Sequence, residues 1–262
     1  MRLRDKVIIV TGSTTGIGEA IARRAVAEGA RVVITGRDAN RGNVLLEELL
    51  KNWPGQATLH IDELSHPDTP QHLVEAALAA FGRIDAVVNN AAWVVRSNLE
   101  NTDAALFDKV MAVNVRAPLL LIQAAAAQLR ATKGCVLNIG SLNAYCGEAN
   151  LLAYSISKGG LMTLSRNLAD ALGRDGVRVN HFNVGWVLTP NEYHYKLADG
   201  LPPNWPEQID RTTAPCGRLM KPEEIAEASV YWLGDESRPI SGSVIDLEQY
   251  PIIGRNPLKE VK

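Results

Sequence analysis

The stretch Val7-Ile8-Ile9-Val10-Thr11-Gly12-Ser13-Thr14-Thr15-Gly16-Ile17-Gly18-Glu19-Ala20 decides the fold of this chain. Four apolar, β-branched residues in a row read as a strand buried on both faces. A glycine-rich turn follows, and a helix opens at Ile17-Gly18-Glu19-Ala20. Glycines in such a turn let the backbone bend sharply and approach a pyrophosphate without a Cβ in the way. The helix N-terminus then offers unpaired N–H groups and partial positive charge to phosphate oxygens. The spacing is Gly-x-x-x-Gly-x-Gly, and no Gly-Lys-Ser/Thr follows, which disfavours a Walker-type ATPase. In its strand–turn–helix setting the turn reads as a dinucleotide site; the plainer alternative is a tight structural turn.

The same alternation continues outward. Arg31–Thr35, Ala57–Ile61, Ala86–Asn89, Cys135–Ile139, Val177–Phe182 and Ser243–Leu247 are short, mostly β-branched runs. Helix-like segments lie between them, at roughly 17–29, 39–51, 68–81, 103–131, 152–173 and 222–233. Gly29 and Gly82 stand where a helix end favours a left-handed residue. Strands alternating with helices imply right-handed crossovers and a parallel sheet covered on both faces. The expected fold is therefore α/β, a doubly wound (Rossmann) parallel sheet of about seven strands, forming a single domain over 1–262. Residues 188–217 break the rhythm with five prolines and, between them, Tyr193, His194, Tyr195 and Trp205. A connection this long is usually functional or disordered, and its aromatics favour a partly helical lid over a site. Residues 251–262 form a C-terminal tail with no assigned role.

Composition bounds the rest. The chain has 262 residues, 27 Lys plus Arg, 29 Asp plus Glu and a formal net charge of −2, so it lacks the basic excess of a nucleic-acid binder. The apolar run before Thr11-Gly12 is only the four residues Val7–Val10, too few for a secretory leader, and no run approaches the ~20 residues that span a bilayer. Cys135, Cys146 and Cys216 are odd in number and lack a CxxC spacing, which suits a reducing compartment and a cytoplasmic protein. His60, His66, His72, His181 and His194 show no i, i+4 or Cys-linked spacing, so no metal site is expected.

The second strand ends at Gly36, followed by Arg37 and Asp38. A carboxylate at that strand end binds the ribose 2′-hydroxyl of NAD, whereas an Arg accommodates the 2′-phosphate of NADP. Arg37, with a planar fork suited to phosphate, favours NADP(H), with NAD(H) also possible; Asp38 is better placed to cap the next helix. An exposed surface cation is the alternative for Arg37.

Tyr154-Ser155-Ile156-Ser157-Lys158 sets a phenol and an ammonium four residues apart on one helix face. A cation about 4 Å from the phenol, at an effective dielectric of about 20, contributes up to about 4 kcal/mol. That is enough to lower a pKa near 10 by about three, towards neutrality. The pair is weak alone, but its surroundings are specific. Cys135–Ile139 runs through Gly140 to Ser141, thirteen residues before Tyr154; Asn89-Asn90-Ala91-Ala92 closes the fourth strand; and Asn114 sits in the helical stretch Met111–Val115.

Together these residues resemble the short-chain dehydrogenase/reductase family over about residues 5–247. The resemblance implies that Tyr154 donates or accepts the proton, that Ser141 stabilises charge on the substrate oxygen, and that Lys158 binds the nicotinamide ribose and lowers the pKa of Tyr154. It implies that Asn114 holds a water in a proton relay; a satisfied core amide is the structural alternative. Gly12, Thr14, Thr15, Gly16, Ile17 and Gly18 match the phosphate turn. Asn89 and Ala91 match the adenosine-side strand, Asp62 the adenine contact, and Val187 and Thr189 the positions that hold the nicotinamide amide. Four departures stand out: Ala92 and Val184 replace a usual glycine and proline, Glu63 replaces an apolar residue, and Leu247-Glu248-Gln249-Tyr250 replaces a glycine pair.

Trp93, Trp186 and Asn143 fall just past site strands and are candidate substrate-pocket walls. Trp53 and Trp232 read as helix-end packing. Ala104–Arg130 is more apolar than one buried face requires, and in the family this helix and the Tyr-Lys helix form a dimer interface, commonly within a homotetramer. The implied activity is NAD(P)-dependent interconversion of an alcohol and a ketone or aldehyde. Asn191, Glu192, His194 and Lys196 lean towards a small polyol or sugar-like substrate. A 3-oxoacyl-type reductase and a non-catalytic dinucleotide-sensing protein are the alternatives.

Overall fold

The apolar runs all become strands in the computed structural model, which describes residues 1–252. In chain order they are β1 (Val7–Val10), β2 (Arg31–Gly36), β3 (Ala57–Ile61), β4 (Ala86–Asn89), β5 (Cys135–Ile139), β6 (Arg178–Val184) and β7 (Val244–Leu247). Among the described residues they form one parallel sheet in the order β3-β2-β1-β4-β5-β6-β7. The helices are α1 (Gly16–Ala27), α2 (Ala39–Asn52), α3 (Thr69–Phe81), α4 (Ala104–Met111), α5 (Ala117–Thr132), α6 (Asn143–Cys146), α7 (Leu152–Gly173), α8 (Pro190–Ala198) and α9 (Pro222–Leu233). Most of the expected tail, residues 253–262, lies outside the described residues.

Alternation along the strands sorts side chains between two cores. Ile8, Val10, Val32 and Ile34 pack with Ile21 and Val26 of α1, Leu45 and Leu49 of α2, and Val230 of α9. Ile9, Val33, Val87 and Val136 point the other way, onto Leu73 of α3, Leu121 and Leu129 of α5, and Leu172 of α7. Because α1 and α5 thus cover opposite faces, the chain leaves β1 and β4 in opposite directions. A crevice opens at their carboxyl ends, where doubly wound folds bind ligands.

The expected boundaries shift where pairing or capping decides them. β6 runs two residues past Phe182 because β7 pairs with it as far as Val184↔Leu247. Gly82 caps α3 in the left-handed region at φ 74°, and Asp38 caps α2 by accepting the Arg41 N–H at 3.0 Å. The segment expected as one helix over 103–131 is broken by a π turn at Ala112–Arg116, closed by the Ala117 N–H donating to the Ala112 carbonyl. Pro118 follows one residue later and has no N–H for the Asn114 carbonyl four residues back. Ala104–Thr132 is, by length and composition, apolar enough to cross a membrane, but half of its most apolar stretch is buried inside the protein. Cys135, Cys146 and Cys216 form no disulfide.

A polar chain crosses the sheet interior. Asn89 Nδ2 donates to Asn138 Oδ1 at 2.8 Å, Asn138 Nδ2 to Ser165 Oγ at 2.8 Å, and Ser165 Oγ meets His181 Nδ1 at 2.9 Å. His181 Nε2 lies 3.0 Å from Asn183 Oδ1. Gly140 borders the ring, and a Cβ there would overlap His181 Nε2. Burial pushes the imidazole down to about 4, so it stays neutral in the fold. As pH drops, the unfolded chain takes up this proton first, near 6.5. The stabilisation is therefore complete above that pH and is lost as pH falls towards 4, by up to about 3 kcal/mol. Thermal denaturation across pH 4–7 should show this acid limb, and His181→Gln should flatten it.

Candidate active site

The crevice between β1 and β4 is lined by many of the residues that the sequence singles out. Its frame is a set of short hydrogen bonds. The Thr11 hydroxyl accepts the N–H groups of Asn90 (3.0 Å) and Ala91 (3.1 Å), tying the end of β1 to the end of β4. Ser13 Oγ donates to the Val10 carbonyl (2.7 Å) and accepts the Thr35 N–H (2.9 Å), pinning the turn to β2. Gly12 takes φ 63°, and a Cβ there would come within 2.9 Å of Ala91 Cα. Only glycine fits this backbone approach, which leaves an open cradle before α1.

The cleft encloses about 370 Å³. Gly12, Thr14, Thr15, Gly16 and Ile17 line it at the glycine turn, Arg37 and Asp62 line it past the ends of β2 and β3, and Ala91, Val187 and Thr189 line it past the ends of β4 and β6. Thr189 Oγ1 accepts the Glu192 N–H at 3.1 Å, starting α8 beside the turn. Two expected cofactor residues lie elsewhere. The Asn89 amide is committed to Asn138 inside the sheet, and Asn90 lines the cleft instead, donating to Thr11 O and Gly12 O at 2.9 and 3.2 Å. Gly18 is absent from the cleft wall; it leaves room for the Asn90 amide, which a Cβ would strike. Lys109, Val94 and Leu64 also line the cleft. No strand-end motif marks these three in the sequence. The Trp93–Lys109 contact, with the ammonium 4.7 Å from the ring centre, arises from the fold.

Ser141, Tyr154 and Lys158 converge on the inner wall. Ser141 Oγ accepts the Asn143 N–H at 3.2 Å, so the first turn of α6 orients the hydroxyl. Lys158 Nζ donates to the Ile139 carbonyl at 2.8 Å and lies 5.5 Å from the Tyr154 ring centre. Burial pulls the ammonium down to about 8. Burial pushes the Tyr154 phenol up to about 12, against the Ser141 hydrogen bond that lowers it, and Glu192 and Glu148 add to the rise. In this arrangement burial outweighs the hydrogen bond from Ser141 at the phenol, and the desolvated ammonium donates to a main-chain carbonyl.

The Asn114 amide has protein partners on both of its polar atoms. Its Oδ1 accepts the Trp93 N–H (2.7 Å), and its Nδ2 donates to Trp93 O (3.2 Å) and Ser157 Oγ (2.9 Å). The side chain is thus committed, and the main-chain carbonyl is the group that Pro118 leaves without its helical donor. Trp93 and Trp186 line the cleft, as do Asn191, Glu192 and Tyr195, whereas Asn143 does not: its amide reaches Glu148 at 3.4 Å. Trp186 donates Nε1–H to Glu192 at 2.7 Å and its N–H to Glu248 Oε2 at 3.0 Å. Glu248 therefore braces the loop after β6, where the family pattern has a glycine pair.

Two of the histidines come together beside a carboxylate. His60 and Asp62 at the end of β3 meet His72 of α3, each offering a ligand atom within 4.8 Å of the others. Sequence spacing hides this grouping because α3 returns His72 to the sheet edge. His72 Nδ1 lies 3.0 Å and His60 Nε2 3.5 Å from Asp62 Oδ2. Asp62 is held at about 2: burial opposes ionisation, and the hydrogen bonds of His72 and the Glu63 N–H outweigh it.

Residues 188–217 hold α8 and a short 3₁₀ turn at Trp205–Gln208. Trp205 is 2% exposed and stacks on Trp186 (5.8 Å) and Tyr193 (6.3 Å), with Leu188, Leu197, Ile209, Ala214 and Leu219 around it. The excursion therefore has a small core of its own.

A glycine-cradled crevice at a sheet switch point, with a Ser, Tyr and Lys on one wall, defines a dinucleotide-dependent oxidoreductase. A family model described as Enoyl-(Acyl carrier protein) reductase matches residues 12–248. L-fucose dehydrogenase of Mus musculus is 36% identical over 88% of this chain and 82% of that protein. NADP-dependent (R)-specific alcohol dehydrogenase of Lentilactobacillus kefiri is 34% identical over 92% and 94%. L-sorbose reductase from Gluconobacter frateurii, solved with NADPH and L-sorbose, superposes with a TM-score of 0.89 at 25% identity, covering 95% and 97%. The chain belongs to the short-chain dehydrogenase/reductase family, and it is an NAD(P)-dependent oxidoreductase acting on CH–OH groups or the matching carbonyls.

Trp205→Ala should remove about 3–5 kcal/mol of packing from the small core of residues 188–217. Limited proteolysis should then cut within 188–217 while the main thermal transition of the sheet changes little.

Proposed function

We propose that this chain interconverts a small polyol or sugar-like alcohol and its carbonyl form, with NADP(H) preferred and NAD(H) accepted. The observation that carries the reading is the convergence of Ser141, Tyr154 and Lys158 on one cleft wall, with the phosphate cradle and Arg37 further along the same cleft. The sugar lean is supported by Asn191, Glu192 and Tyr195 in the cleft wall. It also draws on relatives named L-fucose dehydrogenase and, in Azotobacter vinelandii, L-rhamnose 1-dehydrogenase (NAD(P)(+)). A 3-oxoacyl reductase is the second reading, favoured by an Agrobacterium tumefaciens 3-oxoacyl (acyl-carrier-protein) reductase with NADP bound at a TM-score of 0.85 and 28% identity. A sensor without turnover is disfavoured, because Asn114, Ser141, Tyr154 and Lys158 are all present.

The glycine cradle and the N-terminus of α1 suit a pyrophosphate, and Arg37 suits a 2′-phosphate. When bound, the nicotinamide supplies or accepts the hydride. The chain's own groups handle the proton. In reduction Ser141 donates a hydrogen bond to the substrate oxygen, and Tyr154 gives its phenolic proton to the charge developing there. Lys158 holds positive charge beside the phenolate left behind. The proton is restored along a path that ends at the Asn114 main-chain carbonyl, which can hold a water because Pro118 offers it no N–H. Oxidation reverses each step.

Segment 188–217 is proposed as the substrate lid on a single domain. Exposed Leu119 on α5 and Ile156 on α7 support the proposed homo-oligomer, a dimer or tetramer, and free thiols support a cytoplasmic setting.

Nicotinamide absorbance over a panel of polyols, sugars, ketones and 3-oxoacyl esters tests the reading. Tyr154→Phe should lower kcat by about 10²–10⁴-fold while the cofactor still binds. Tight cofactor binding with no turnover on any compound would sink the enzyme reading. The pH dependence follows from Lys158: its charge is present below about 8 and lost above, while Tyr154 keeps its proton to about 12. kcat/KM for reduction should therefore fall above pH 8, and Lys158→Arg should move that limb to higher pH. Arg37→Ala should weaken NADPH binding by about 10–100-fold and NADH binding far less.

A further inference from the structure

We infer that Glu63 is a specificity-determining residue that opposes Arg37 and holds the enzyme to dual use of NADP(H) and NAD(H). The inference rests on the assignment of Arg37 to the 2′-phosphate. The parallel register pairs Gly36 with Ile61, so Arg37 and Asp62–Glu63 leave neighbouring strands side by side. The Asp62 N–H donates to the Gly36 carbonyl at 3.1 Å and extends that pairing to the cleft mouth. Glu63 is firmly placed there. Its N–H donates to Asp62 Oδ1 at 2.7 Å, its carbonyl accepts the Thr69 hydroxyl at 2.8 Å, and its Oε1 faces the Ser65 N–H at 3.4 Å. Oε2 is left to face Arg37 Nη1, 3.6 Å away. Arg37 and Glu63 both line the cleft, and their side chains are 67% and 44% exposed.

This placement treats the two cofactors differently. A 2′-phosphate beside Arg37 has to displace a carboxylate already paired with the guanidinium, and it then sits next to that carboxylate as a like charge. A ribose 2′-hydroxyl carries no charge to repel and has a proton to donate, which a carboxylate accepts well. Neighbouring Asp62 is occupied by His72 and His60, so it does not compete for this role. The pair is exposed and screened by water, so the effect is a bias and not an exclusion. An apolar residue at position 63, as in the family pattern, would leave Arg37 unopposed.

The test measures NADPH and NADH dissociation constants of the full chain by tryptophan and nicotinamide fluorescence, without turnover. The proteins are the unaltered chain, Glu63→Gln, Glu63→Ala and Arg37→Ala. Both Glu63 variants should bind NADPH about three- to tenfold more tightly, with NADH unchanged or slightly weakened. Unchanged NADPH-to-NADH ratios in both would overturn the role of Glu63 while leaving Arg37 assigned. Equal weakening of both cofactors by Arg37→Ala would instead remove the 2′-phosphate assignment beneath it. Tighter binding of both cofactors to the same degree would also overturn the inference, because it would show a general charge effect.

Discussion

The two hydrogen bonds accepted by the Thr11 hydroxyl hold together the seam on which everything else depends. β1 and β4 are neighbours, yet the helices that follow them cover opposite faces of the sheet. The ladder between them runs to Val10 and Val88, and the Thr11 N–H carries it one step further by donating to the Val88 carbonyl at 3.0 Å. The Thr11 hydroxyl adds a cross-link within the first turn of chain after β1. Asn90 reinforces it by reaching back to the carbonyls of Thr11 and Gly12. The glycine turn leaves β1 at this junction, and Arg37 and the wall of Ser141, Tyr154 and Lys158 line the cleft beyond it.

Charge is handled locally. The chain is nearly neutral overall, at −2, and still offers an anionic cofactor a helix N-terminus, Arg37 and Lys158. Each positive group is restrained by its surroundings. Arg37 faces Glu63, Lys158 is desolvated against the Ile139 carbonyl, and Lys109 lies over Trp93. A site built this way attracts an anion at particular points without making the whole surface basic, which preserves selectivity over other polyanions.

Most of the architecture was legible because its signals are local. β-branched runs, the glycine turn and the i, i+4 Tyr-Lys pair each act over a few residues, and all seven strands fall where the runs predict. What was not legible depends on distant partners. The commitment of Asn89 to Asn138, and the use of Asn90 in its place, follow from strand register. The clamp of His60 and His72 on Asp62 needs α3 to fold back. The high pKa of Tyr154 reflects desolvation, which a pairwise spacing argument leaves out. The π turn lies between: Pro118 four residues after Asn114 is written in the sequence, and its effect on the Asn114 carbonyl follows from the missing N–H alone.

The miniature core around Trp205 gives the excursion after β6 a degree of autonomy. It joins the sheet through two adjacent stalks, bridged where Val187 pairs with Met220 and where the Leu188 N–H meets the Met220 carbonyl at 2.8 Å. A segment that brings its own packing, and touches the rest mainly at this bridge, through Asp199 to Arg96 and through the Cys216 N–H to Gln249, behaves as a cassette. Its helix, its cleft-facing side chains and its length can change together while the cradle, the wall and the seven strands stay intact. With the segment as the proposed lid, substrate range would change through one surface module without rebuilding the core of the sheet.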